Sequence, residues 1–201
     1  MRFRVMTTVA EAAFLMDDAD VSAWWSASAD VTGRVVAAIA VACATVPAMN
    51  ARYDAALQSF TPLPTIDLGI AIETNDGVRV PVLTDVGHTP ATEIRRRLNA
   101  LRVMIEEGAR RPGVTLVNFG RGPCRYAILP LEPPQVAIVA TGQVSLQPVP
   151  HKSRVTYRHV LPLTLSYDTR ACNLGEAVRF LGAIKSDLAL PELPLSRGAH
   201  G

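Results

Sequence analysis

The 201 residues are 49% hydrophobic and 19% charged, with 20 Lys and Arg against 18 Asp and Glu, a balance that excludes disorder, collagen and coiled coil and leaves enough apolar sequence for a packed core. The formal charge of +2 is spread without runs, so no field draws nucleic acid or an anionic membrane and neither is expected as a partner. Cys43, Cys124 and Cys172 are odd in number and far apart, which argues against a disulfide framework or a zinc site and for reduced thiols in a cytoplasm.

Residues 2–16 alternate loosely and predict a strand, and Asp17, Asp18 and Asp20 predict a turn into a short helical piece around Trp24 and Trp25. Adjacent tryptophans cannot share one helix face: either one packs inward while the other meets a groove or partner, or both are partly buried. Thr32 is the expected N-cap of an Ala-rich helix from about Gly33 to Met49. The apolar run Val35 to Ala48 contains Pro47 and is too short to span a bilayer.

After Pro62 and Pro64, Ile66 to Thr74 and Val78 to Leu83 flank Asn75-Asp76-Gly77, which predicts a hairpin because these residues tolerate positive φ. Thr89 or Thr92 is expected to cap a helix from Glu93 to Glu107, with Ile94, Leu98, Leu101 and Ile105 on one stripe and Gly108 at its end. Arg95, Arg96 and Arg97 fall on different faces and read as a solvated surface rather than an anion site. Val114 to Asn118, Val136 to Thr141, Val144 to Val149 and Val155 to Ser166 predict strands, Gly120-Arg121-Gly122 a tight turn, and Leu174 to Leu188 a final helix before a frayed tail from Pro191. With no repeat or linker, residues 1–201 read as a single mixed α/β domain.

Histidine is the usual proton shuttle at neutral pH. His88, His151 and His200 read as surface residues, and His159, within a strand, is the more interesting candidate. Cys172 is a candidate nucleophile, although a reactive thiolate needs more than the nearby Arg170.

Four segments, in order, resemble the catalytic core domain of the 2-oxo acid dehydrogenase dihydrolipoamide acyltransferases, which has the chloramphenicol acetyltransferase-like α/β sandwich. Ile66 to Val86 is similar to the family's segment leading through a hairpin to a buried Pro-Val. Val114 to Gly120 is similar to its Phe-Thr-Ile-Ser strand, Ala127 to Ile138 to its Pro-Pro-Gln stretch, and Leu161 to Arg170 to the strand that carries its catalytic histidine. The likeness runs from about Val31 to Leu188. It implies a mixed central sheet with flanking helices and an active-site channel between subunits of a trimer.

The resemblance also implies a His-x-x-x-Asp-Gly site whose histidine takes a proton from the thiol of coenzyme A or dihydrolipoamide. Here that spacing reads Thr169 to Leu174, with Thr169 for the histidine and Asn173 for the aspartate, and the family's oxyanion-binding hydroxyl falls on Val117. Threonine has no pKa near neutrality and valine donates no hydrogen bond. The scaffold positions Asp168, Arg170, Asn118, Glu176, Arg179 and Phe180 match the family, with Asp168 and Arg170 expected to pair.

The sequence therefore implies a fold kept without its reaction: a pseudoenzyme serving as a structural or partner-binding subunit. Its expected partners are further copies in a homotrimer, a catalytic homologue, or another subunit of a multienzyme complex. No cofactor is required, and coenzyme A or a lipoyl-type thiol stays open as a ligand. The alternatives are an acyltransferase with Cys172 or His159 as relocated catalytic residue, and a pantetheine-binding module. No lipoyl or peripheral-subunit-binding domain is read in these residues, the link after the arginine-bearing helix is shortened, and the tail is a poor knob for joining trimers, so assembly is expected to stop at the trimer.

Overall fold

The computed structural model describes residues 11–191 apart from 55, 76, 104–111, 132 and 152–153. Ten strands and three helices are seen among them: β1 (Ala12–Asp20), α1 (Val31–Thr45), β2 (Ala51–Asp54), β3 (Ser59–Pro62), β4 (Leu68–Thr74), β5 (Gly77–Arg79), β6 (Val82–Leu83), α2 (Ala91–Val103), β7 (Val114–Asn118), β8 (Ala137–Thr141), β9 (Ser145–His151), β10 (Arg154–Asp168) and α3 (Leu174–Leu188).

Eight strands form one mixed sheet in the order β1-β10-β8-β7-β4-β5, with β6 added to β4 and β9 to β10, while β2 and β3 form a separate ribbon. β4, β7 and β8 run parallel and the other pairs antiparallel. Because side chains alternate across a strand, Leu161, Leu163 and Leu165 of β10, Ala137 and Val139 of β8 and Val114 and Leu116 of β7 share one face. They pack there with Val35, Ile39 and Cys43 of α1 and Phe180 and Ile184 of α3 in the main core. The opposite face carries a smaller cluster in which Leu129 and Leu131 lie with Ile138 and Val117.

The expected α/β architecture is present, and the departures have local reasons. Asp17, Asp18 and Asp20 continue β1 instead of breaking it, because each finds a cation: Lys185 for Asp17, Arg125 for Asp18 and Arg158 for Asp20. No helix forms around the tryptophans; both are half-buried against the core, and Trp24 Nε1 donates to the Leu188 carbonyl at 2.6 Å, closing the end of α3. Asp30, not Thr32, caps α1 by accepting from the Gly33 amide at 2.9 Å, and Val46 leaves the helix ahead of Pro47, as a residue before proline must. Thr32 instead accepts from Asn118 Nδ2 at 2.9 Å.

The hairpin forms as expected, Thr74 pairing with Gly77, whose φ of 113° only glycine adopts without strain. The arginines are only partly a solvated surface. Arg96 is exposed with Glu93, but Arg95 binds Asp30, and Arg97 donates to Thr84 O at 2.7 Å and Thr89 Oγ1 at 3.0 Å, tying down the loop before α2. Thr89 thus serves that loop, its hydroxyl donating to Asp85 O. Strand 2–16 up to residue 10, the helix end at Gly108, the shortened link and the tail beyond residue 191 lie outside the described residues.

Candidate functional site

β10 ends at Asp168, and the next five residues form a corner leading into α3. Asp168 is 1% exposed, and a carboxylate buried that far must be paired. Arg170 supplies the partner: its backbone amide donates at 3.0 Å, Nε at 2.9 Å and Nη2 at 2.6 Å. The guanidinium lies over the Tyr53 ring at 4.0 Å, and the hydrogen bonds it donates to Asp168 hold its pKa above the ordinary arginine value. The Asp168 carbonyl accepts from the amides of Ala171 and Cys172, so one residue fixes both strand end and turn.

The remaining corner residues point away from acid–base work. Thr169 is exposed, and both its amide and its hydroxyl donate to the Glu11 carbonyl at 2.9 Å, which commits that hydroxyl as a donor. Cys172 is 1% exposed and its Sγ lies 3.4 Å from Met49 Sδ. Burial, reinforced by the carboxylates of Glu176 and Asp168, pushes its thiol up to about 12, so no thiolate forms near neutrality and the nucleophile reading has no chemical basis here. Asn173 caps α3: its side chain accepts from the Glu176 amide at 3.0 Å and Glu176 Oε2 accepts from the Asn173 amide at 2.9 Å. Sequence reasoning missed this reciprocal cap, although Asn-x-x-Glu before an apolar-periodic run was its visible signal. Leu174 is 61% exposed.

The second group of candidate positions lies elsewhere. Val117 sits on β7 level with Ala71 and Ala140, and Ala140 is level with Thr164. Thr169 is five residues beyond Thr164, about 16 Å further along the strand direction. A single chain therefore does not bring Val117 and Thr169 together. Asn118, beside Val117, turns the chain by accepting from the Gly120 amide at 2.9 Å, and Gly122 donates to Phe119 O at 2.8 Å, giving the expected tight turn at 120–122.

His159 lies ten residues before Thr169, roughly 30 Å away along β10. Its amide donates to Ser22 Oγ, its carbonyl accepts from Val21, and its ring lies 5.9 Å from that of Trp25. As a base replacing Thr169 within the same chain it is out of reach. His88 is exposed beside Asp85 at 2.9 Å, and the side chains of His151 and His200 lie outside the described residues. Among the described residues no group of three or more His, Cys, Asp or Glu could hold a metal ion, and no helix is long and apolar enough to cross a membrane.

Comparison with known proteins places this geometry. The dihydrolipoyllysine-residue acetyltransferase component of the pyruvate dehydrogenase complex of Mycoplasma capricolum is 27% identical over 165 residues, covering 79% of this chain and 38% of its own length; the chain thus spans about two fifths of that relative. A crystal structure of Azotobacter vinelandii dihydrolipoamide acetyltransferase, solved to define the role of a serine, a histidine and an asparagine in its catalytic mechanism, superposes with a TM-score of 0.81 at 21% identity, covering 90% of this chain and 82% of that one. A chloramphenicol acetyltransferase shares the fold at a TM-score of 0.63 and 12% identity, with 88% of each chain covered. The profile of the family described as 2-oxoacid dehydrogenases acyltransferase (catalytic domain) matches residues 18–195, and the chain belongs to that family.

Proposed function

We propose that this chain is a non-catalytic member of its family, a pseudoenzyme that acts as a structural or partner-binding subunit of a multienzyme assembly, its own oligomer being a homotrimer. The observation that carries the reading is the state of Thr169: the position that aligns with the family histidine holds an alcohol whose proton is given to the Glu11 carbonyl, in a corner whose buried carboxylate, Asp168, is paired with Arg170. An alcohol at this position accepts no thiol proton near neutrality.

The spacing of the Azotobacter residues supports the correspondence. The intervals from its serine to its histidine and from its histidine to its asparagine equal those from Val117 to Thr169 and from Thr169 to Asn173. On this alignment Asn173 is an asparagine where that enzyme also has one. Asn173 is then no departure, and the losses narrow to the base at Thr169 and the hydroxyl at Val117. An oxyanion donor contributes about 10²–10³ in rate and a general base about 10²–10⁴, so losing both removes most of what the site does. The far separation of Val117 from Thr169 within one chain fits a channel completed by a second copy. Such a channel would still accept coenzyme A or a lipoyl-type thiol without turnover.

The test is thiol release from acetyl-coenzyme A with dihydrolipoamide as acceptor. The native chain should show none above background, and Thr169→His combined with Val117→Ser should raise release at least tenfold while either change alone does not. Clear turnover by the native chain sinks the reading, and its loss in His159→Ala would then identify a relocated base acting from another copy.

A further inference from the structure

The free edges of the sheet differ in how far they are protected. β5 is only three residues long, Gly77–Arg79. β9 pairs with the first part of β10 alone, the two strands forming an arm beyond the body of the sheet, and its Pro148 and Pro150 lack the amide hydrogens that a further strand would need. β1 has neither protection: it is nine residues long, contains no proline and pairs with β10 on one side.

The ladder decides which groups of β1 face outward. The Thr169 amide donates to Glu11 O and the Val21 amide to His159 O, so the odd-numbered residues of β1 bond β10 and the even-numbered ones turn amide and carbonyl to the open side. At Asp18 that amide is already used, donating to the Asp17 carboxylate at 2.7 Å. Those of Phe14 and Met16 have no partner among the described residues. Their side chains are 40% and 54% exposed, on the face where Ala12 meets Leu129 and Leu131.

On the helix face the same stretch is flanked by a groove of about 360 Å³ between β1 and α3, lined by Leu15, Met16, Val178, Leu181 and Gly182. The ion pair of Asp17 with Lys185 bounds one end of it, and the exposed Glu11 precedes the other. Gly182 lies inside α3, where a glycine costs about 1 kcal/mol relative to alanine. Packing does not require it, since a Cβ built there meets no atom within 4 Å. What the missing side chain does is leave the groove open.

Unmet main-chain groups beside a groove between an edge strand and a helix match an extended peptide, which supplies backbone donors and acceptors along one side and alternate side chains to two faces. On a strand added antiparallel to β1, the residue opposite Leu15 points to the helix face and enters the groove over Gly182. Its two neighbours exchange hydrogen bonds with Phe14 and Met16 and lay their side chains against these two. A helical partner has its own main-chain groups already paired and could not meet them.

We propose that the β1 edge from Ala12 to Met16 binds an extended segment of a partner protein, three successive residues other than proline with a leucine-sized apolar side chain at the centre. This rests on the partner-binding part of the function proposed above. The probe is a fluorescein-labelled heptapeptide, Lys-Thr-Val-Leu-Val-Thr-Lys, followed by fluorescence anisotropy, with amide hydrogen exchange read by NMR. The native chain should bind it saturably below millimolar concentration, with exchange of the Phe14 and Met16 amides slowed, and should bind the same peptide N-methylated at both valines at least tenfold more weakly. Gly182→Leu, which fills the groove and suits the helix, and Met16→Pro, which removes an outward amide and no bond to β10, should each weaken binding at least tenfold while circular dichroism shows both folded. A probe that fails to bind the native chain, or binds without slowing those two amides, overturns the site. Full-strength binding by the folded Gly182→Leu variant, or of the N-methylated peptide, overturns it as well. Thiol release by the native chain overturns the proposed function and leaves this site to be decided by the peptide alone.

Discussion

From Val160 onward β10 is buried inside the sheet, whereas its first six residues pair with β9 alone and hold Val155 and Tyr157 at 68% and 67% exposure. The alternation of side chains is continuous through both halves. What differs is the neighbours: β1, β8 and the helices enclose Leu161, Leu163 and Leu165, and stop short of the arm. Period two assigns a residue to a face, and only tertiary context decides whether that face is a core or a surface.

The largest expected effect tests this contrast directly. Leu163 is 0% exposed in the main core, and Leu163→Ala should cost about 3 kcal/mol through lost transfer energy and a cavity. Val155→Ala, measured by denaturant unfolding at a chain concentration too low for assembly, should stay within about 0.5 kcal/mol. Equal losses at the two positions would break the comparison, since they would mean that the arm is packed in the isolated chain.

Alkali sharpens it next, because burial also holds thiols protonated. Burial pushes Cys43 up from 9.0 to about 12. A native pKa above the unfolded one means that the native state keeps a proton the unfolded chain has released, so stability is intact below pH 9 and falls as pH rises above it. The slope from this thiol is about 1.4 kcal/mol per pH unit. Cys43→Ala should therefore lose less stability than the native chain between pH 8 and pH 10, whatever its loss at pH 8. An unchanged pH dependence would mean that the thiol ionises freely and is not held in the core. Cys124, which is exposed, should react with a thiol reagent at once, while Cys43 and Cys172 wait for unfolding.

Sequence patterns were legible where a local rule governs and opaque where a distant partner does. Asn75-Asp76-Gly77 specifies its hairpin, and α3 begins and ends where its periodicity predicts, at Leu174 and Leu188. β1 runs further than its sequence suggests because three aspartates read as a turn unless Lys185, Arg125 and Arg158 stand beside them. At the candidate site, Thr169 and Val117 can be singled out from the resemblance. That Cys172 is sealed against Met49, that His159 stands at the wrong end of β10 and that Arg97 serves a loop could not, since each depends on which elements pack together.

The smallest of these effects concerns Asn173, where a candidate site position and a helix cap coincide. Its side chain accepts from the Glu176 amide while Glu176 returns the bond, so Asn173→Ala removes one acceptor and leaves that first-turn amide to solvent, a cost of about 1 kcal/mol. Asn173→Asp keeps the acceptor and adds negative charge at the helix N-terminus, where the dipole favours it, so its stability should match or slightly exceed the native value near neutral pH. Thermal unfolding of the two variants reads the cap alone, independently of thiol release. A cost well below 1 kcal/mol for the alanine variant would show that α3 is held by Phe180 and Ile184 against the sheet and not by its first turn, and that Asn173 owes its identity to the site instead.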